Sequence, residues 1–221
     1  MGWFITFIDS SVGKKLIMAL TGIFLYLYLI IHLTANLFLL SSDKTIFNTY
    51  AEIMSSGINI PIRIIEIILF LAFIYHIVNG IRLWLKNKKA KGVSYELNKP
   101  SENSSFFSRF MVQSGIVVFI FLVIHLRTFF IRYKFGNPKE SMYDAAITAF
   151  SDPVYSIFYV IAMILLAFHL VHGFQSAFQT LGLRHTKYTP FIKGFGVVFS
   201  ILLCAGFALI PLYILLNSGG N

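Results

Sequence analysis

Five stretches of the chain are apolar for longer than a soluble core helix requires: residues 13–40, 62–85, 109–131, 154–181 and 191–216. At 1.5 Å of rise per residue each can cross the roughly 30 Å of hydrocarbon in a bilayer. Charged residues gather between the runs, so the pattern predicts an all-α membrane protein, one domain over residues 1–221 with five transmembrane helices. Two of the connections carry apolar residues at helical spacing. "DKTIFNTYAEIMSSG" has Ile46, Phe47, Tyr50 and Met54, and "PKESMYDAAITAFSD" has Met142, Ala146 and Phe150. Both predict short helices lying over the outer end of the bundle.

Composition agrees with the pattern. The 221 residues are 57% hydrophobic and 12% charged, with a mean hydropathy of +0.77, which excludes an ordinary soluble domain. The opening "MGWFITFIDSSVGKK" has no basic residue ahead of its apolar part and no small-residue cleavage site, so it is read as retained and not as a signal peptide. Gly2 and Thr6 fit a myristoylation pattern, but one acyl chain adds nothing to five spans.

The net charge of +9 raises the question of a nucleic-acid partner, and the distribution of charge answers it. With the N-terminus inside, Lys14, Lys15, Arg82, Lys86, Lys88, Lys89, Lys91, Lys99, Arg109, Arg184, Lys187 and Lys193 fall on the inner side, against Asp9, Glu96 and Glu102. The outer side is balanced, with six basic and six acidic residues. The excess follows the positive-inside rule, which also sets the C-terminus outside. No nucleic acid is implied.

Cys204 is the single cysteine, and it lies in the fifth run. The chain therefore has no disulfide, no attachment motif for a covalent haem and no thiolate set for an iron–sulfur cluster. It also lacks a glycine-rich phosphate loop and a soluble region large enough for a nucleotide site.

Five of the six histidines lie inside the apolar runs: His32, His76, His125, His169 and His172. They belong to an internal repeat. "TGIFLYLYLIIHL" (residues 21–33) matches "SGIVVFIFLVIHL" (residues 114–126), and "YHIVNG" (residues 75–80) matches "FHLVHG" (residues 168–173). His125 follows His32 by 93 residues, and His169 follows His76 by the same 93. The chain reads as a duplicated helix pair plus a fifth helix.

Depth gives the repeat a chemical meaning. His32 and His125 share an outer level and His76 and His169 an inner one, roughly 10 Å apart by helical rise. Two pairs of imidazoles facing each other across a four-helix bundle are what two bis-histidine b haems require. Gly80 and Gly173, four positions after their histidines, remove side chains that would meet a porphyrin. Thr21 and Ser114 lie eleven positions before His32 and His125, near the level of the second haem, with Gly22 and Gly115 beside them. Asn79 and His172 occupy matching positions one turn closer to the inner surface, suited to a propionate or to helix packing.

Four ligands on four helices, the HxVxG turns and "FHLVHGFQSAFQTLG" together resemble the dihaem cytochrome b membrane-anchor subunit of succinate dehydrogenases and fumarate reductases, in its single-chain, five-helix, menaquinone-linked form. The resemblance runs over almost the whole chain. It implies that a flavoprotein with FAD and an iron–sulfur subunit dock on the cytoplasmic face of a bacterial membrane, and that this chain relays electrons between them and menaquinone. It also implies His76 and His169 at an inner haem, and His32 and His125 at an outer haem near the quinone. Family members that carry a carboxylate two residues before the fourth ligand are not matched here, because that position is Ala167. This departure favours succinate oxidation over the fumarate reductase direction. The other common dihaem cytochrome b, with two ligands about fourteen residues apart on each of two helices, is not matched by any pair in this chain.

Glu66 is the carboxylate clearly inside a span, and an ionisable residue there is a quinone-site candidate together with Arg63 three positions earlier, or the two form an interfacial ion pair. Arg127, just past His125, either reaches an outer propionate or snorkels to the headgroups. The stretch "KNKKAKGVSYELNK" (residues 86–99) is the candidate docking strip for the iron–sulfur subunit, with His185 near the same face. A rival reading is a haem-free transporter or proton channel, but the runs "IFLYLYLII" and "IVVFIFLVI" offer no polar relay beyond tyrosine hydroxyls.

Overall fold

The computed structural model describes residues 2–41, 43–90, 109–136 and 139–218. Among them, five helices are long and apolar enough to span a membrane. A short α1 (Trp3–Asp9) precedes α2 (Ser11–Asn36), which ends in one 3₁₀ turn, Leu37–Leu40. Then come α3 (Lys44–Ser55), α4 (Ile60–Ala90) and α5 (Met111–Phe135). The chain closes with α6 (Met142–Ser151), α7 (Pro153–Thr180) and α8 (Thr189–Ser218). The spans are α2, α4, α5, α7 and α8, and the chain is an integral membrane protein of all-α class.

Helices are the natural answer for this sequence because hydrocarbon offers no partner to a backbone N–H or C=O, and a helix satisfies both internally. The ends are marked by side-chain caps. Ser10 accepts from Gly13 N at 2.9 Å, and Asp152 accepts from Tyr155 N at 2.8 Å with Pro153 as the first helical residue. Asp43 caps α3 through Thr45 N, and that backbone donor holds its carboxyl below the usual carboxylate range. At the far end of α7 the chain turns through Gly182, whose φ of +73° suits glycine, while Leu183 N donates to the Phe178 carbonyl.

The helices pack in the order α4, α2, α7, α5, with α8 lying against α2 and α7. α7 is the central element and buries Tyr159, Ala162, Met163, Leu166, Leu170 and Val171. Small residues bring α8 close: a Cβ on Gly196 would collide with the Phe174 ring, and one on Gly206 would come within 2.7 Å of Leu33. A buried hydroxyl chain ties α2 to α8, because Tyr26 bonds Ser200 at 2.8 Å and Ser200 donates to the Gly196 carbonyl. Helices α4 and α5 do not pack closely on each other, so the bundle is open along one side.

The two short outer helices form as expected and touch each other, with Asn48 accepting from Tyr143 N at 3.1 Å. Their buried residues are Phe47, Ala145, Ala146 and Phe150, whereas Ile46 and Met54 point outward. Helix α4 runs to Ala90 and α5 to Phe135, each several residues past the apolar run that marks it in the sequence. Amphipathic basic ends of this kind continue a helix beyond the hydrocarbon because lysine stems still cover apolar surface.

Candidate functional site

His76 on α4 faces His169 on α7 with ring centroids 6.3 Å apart, and His32 on α2 faces His125 on α5 at 5.8 Å. Two metal–imidazole bonds of about 2 Å, plus roughly 1.1 Å from each ring nitrogen to its ring centre, set the centroids of a doubly ligated pair about 6.3 Å apart. The inner pair stands at that distance and the outer pair about half an ångström closer. Among the described residues, no three His, Cys, Asp or Glu side chains gather into a metal cluster. Each pair thus offers two nitrogen ligands on opposite sides, a donor set suited to an iron that brings its own four equatorial nitrogens.

The hydrogen bonds that these rings make go to Nδ1. Thr21 Oγ1 lies 3.4 Å from Nδ1 of His76, Tyr28 OH 3.4 Å from that of His32, and Tyr159 OH 3.1 Å from that of His125. A neutral imidazole has one donor and one acceptor nitrogen, so engaging Nδ1 as donor leaves the Nε2 lone pair for a metal. His169 departs from the set, since its Nδ1 is buried without a hydrogen-bond partner among the described residues. All four histidines are half-buried although they lie mid-span, and they border the open side of the bundle.

The repeat is visible in the contacts. Gly22 lies against His76 and Gly115 against His169, with a built Cβ 3.6 Å and 3.5 Å from the respective Cε1. Gly173 has open space where a side chain would stand, while Gly80 faces the Met18 methyl at 3.2 Å. Because Gly22 is level with His76, and Gly115 with His169, the ten residues on to His32 and His125 separate the two levels by about 15 Å. This corrects the roughly 10 Å read from the apolar runs. The reason is register: Lys15 stands level with Leu83 and Arg109 with Gln175, so the runs that end at Leu85 and Leu181 reach past that level and His76 and His169 lie closer to it than the runs imply.

Aromatic walls around the outer pair escape a reading based on ligands alone. Tyr28 stacks on His32 at 5.3 Å and 20°, and Phe121 stacks on His125 at 5.6 Å and 25°. Tyr28 and Phe121 are repeat equivalents four residues before their histidines, a signal present in the aligned sequences. Phe207 packs on His32, and Phe129 and Tyr159 on His125, from positions that sequence spacing does not connect.

The remaining candidates are distributed as follows. Glu66 is held by two cations: it forms an ion pair with Arg63 and accepts from Lys134 Nζ at 3.2 Å. In the antiparallel pair α2 and α4, Gly22 with His76 and Met18 with Gly80 are neighbours whose numbers each add to 98. By the same register Glu66 comes level with His32. Arg63 also donates to the Met54 carbonyl at the end of α3. Arg127 is exposed on the π-helical turn, Leu126–Ile131, that follows His125. Asn79 is buried and donates to the Lys14 carbonyl at 2.9 Å, a helix-packing contact. Ser114 is buried and donates to the Met111 carbonyl, and His172 is half-buried one turn after His169. His185 lies in the turn between α7 and α8, where its Nδ1 accepts from Lys187 N. The docking strip from Lys91 onward lies outside the described residues.

No curated protein and no solved structure matches the chain. Residues 16–104, less than half of the chain, match the family model of the Succinate dehydrogenase/Fumarate reductase transmembrane subunit. That stretch contains α4, nearly all of α2, and both His32 and His76, so the first half of the duplicated unit is similar to a membrane subunit of that family.

Proposed function

We propose that this chain is the dihaem membrane-anchor subunit of a succinate:quinone oxidoreductase, with His76 and His169 holding an inner b haem and His32 and His125 an outer one. The observation that carries the reading is the pair of facing imidazoles at each of two levels, at 6.3 and 5.8 Å. When bound, the two haems supply one-electron carriers between an iron–sulfur subunit and menaquinone. The protein's own work is to orient four neutral imidazoles, keep water out with aromatic walls, and leave room beside Gly22, Gly115 and Gly173. The similarity over residues 16–104 supports association with a flavoprotein and an iron–sulfur subunit. Those partners carry FAD and the clusters, and they dock on the basic cytoplasmic face, which takes in residues 86–99, Arg184 and His185.

Glu66 is assigned to the quinone site. Its register places it level with His32, and a carboxylate there can exchange the protons of quinone chemistry with the outer surface. Arg63 and Lys134 hold its carboxylate in place. Arg127 serves the outer propionates, and Asn79 and His172 mark the inner edge of the inner haem. Ala167 leaves no carboxylate beside the fourth ligand, which favours succinate oxidation with electrons crossing part of the membrane field. A fumarate reductase uses the same arrangement in the opposite direction.

The test is a dithionite-reduced minus oxidised spectrum, with a pyridine haemochrome assay, on the full chain purified in mild detergent from haem-sufficient cells. Two b-type haems per chain, one lost on replacing either His76 or His169 and the other on replacing either His32 or His125, are expected. A folded, colourless protein overturns the reading and leaves the haem-free transporter.

A further inference from the structure

Tyr159 is a buried polar group beside His125. Its side chain is buried and wedged between Phe121, Phe150 and Tyr155, with ring centroids 4.9, 5.0 and 4.7 Å away. A phenol in that position needs a partner for its proton and one for its lone pairs. Two are within reach: His125 Nδ1 at 3.1 Å and the Tyr155 hydroxyl at 2.9 Å. Tyr155 sits in the first turn of α7, with its own N–H capped by Asp152, so the chain leads from mid-span toward the outer surface.

We propose that Tyr159, backed by Tyr155, is a positioning residue for His125 that fixes its ring and tautomer and lowers the reduction potential of the outer haem. The inference rests on the dihaem reading. If His125 Nε2 ligates iron, the neutral ring carries its proton on Nδ1. The hydrogen bonds then have one polarity: Nδ1–H donates to Tyr159, and Tyr159 donates to Tyr155. An acceptor on Nδ1–H makes the imidazole a more basic ligand, which favours ferric over ferrous iron. The first half of the repeat lacks the device, because the position equivalent to Tyr159 is Glu66, and the hydroxyl at His32 Nδ1 is that of Tyr28, from the same helix and at the longer distance of 3.4 Å. Among the described residues, the inner ligand His169 has no hydrogen-bond partner on Nδ1. Tyr159 therefore acts on one of the four ligands and on one haem.

The experiment compares the full-length chain with Tyr159→Phe, Tyr155→Phe and Tyr26→Phe. The last is a control whose hydroxyl is buried against Ser200, away from the histidines. Haem content, redox titration of the visible bands and low-temperature electron paramagnetic resonance of the ferric form are measured on each. Expected are two haems retained in Tyr159→Phe, an upward shift of one midpoint potential and of one ferric signal, and a smaller shift in the same direction for Tyr155→Phe. Tyr26→Phe leaves both centres unmoved. Full haem content with both potentials and both signals unchanged in Tyr159→Phe overturns the proposal and leaves the dihaem reading intact. If Tyr159→Phe does not fold, an unmoved Tyr155→Phe overturns it. A wild-type chain without haem overturns both readings.

Discussion

Gly115 lies directly against the imidazole of His169, where a built Cβ stands 3.5 Å from Cε1 and 3.7 Å from Nδ1. These are ordinary contact distances, so Gly115→Ala fits without moving the ring. Gly115→Leu does not, because the branched end must occupy the space of the imidazole. The inner haem is expected to be lost from Gly115→Leu and retained in Gly115→Ala, with the outer haem present in both. Haemochrome content per chain, falling from two to one only for the larger residue, checks this. Gly22→Leu is expected to act alike through His76.

Glu66 is clamped by Arg63 from its own helix and by Lys134 from α5. A neutral isostere keeps the size and removes the exchangeable charge. Glu66→Gln in the assembled complex is expected to slow quinone-dependent turnover on the order of 10²-fold, the usual contribution of a general acid or base. Both haems should remain, and succinate oxidation with an artificial acceptor should be unaffected. Unchanged quinone turnover would return Glu66 to a purely interfacial ion pair.

Much of this was legible in the sequence because a bilayer forces few choices. Spans follow from apolar length alone, and the 93-residue offset pairs the histidines without any coordinates. Helical rise sets Thr21 and Gly22 near the inner level, and both meet His76. What could not be read were lateral contacts from another helix. Tyr159 reaches His125 from 34 positions away, and nothing in local spacing selects it over Tyr155 or Phe158. Lys134 meets Glu66 only because α5 continues to Phe135 past the apolar run. Asn79 likewise donates to the Lys14 carbonyl on α2, a contact that spacing along α4 alone does not show.

The link between α2 and α8 predicts unequal costs for its two members. Ser200 donates to the Gly196 carbonyl, so Tyr26 must be the donor in the bond between the two hydroxyls. Tyr26→Phe removes that donor and leaves Ser200 still bonded, at a cost of about 1 kcal/mol. Ser200→Ala strands a buried phenol proton and should cost more, roughly 1–3 kcal/mol. Thermal unfolding in one detergent, with Ser200→Ala melting below Tyr26→Phe, is the expected order. The reverse order would mean that the phenol finds another acceptor.

The orientation of the chain follows from its charges and can be tested with its single cysteine removed. Cys204 is buried in α8, and Cys204→Ala clears the background for new thiols. Lys139 is exposed in the connection between α5 and α6, and Lys88 is exposed near the end of α4. With twelve basic residues against three acidic ones on the Lys88 side, and six against six on the Lys139 side, the positive-inside rule predicts that the former faces the cytoplasm. A membrane-impermeant maleimide applied to spheroplasts should label Lys139→Cys at once and Lys88→Cys only after the membrane is opened. The opposite pattern would invert the chain. It would put Glu66, level with His32, on the cytoplasmic side, and the basic ends near His76 and His169 on the face where no iron–sulfur subunit can reach them.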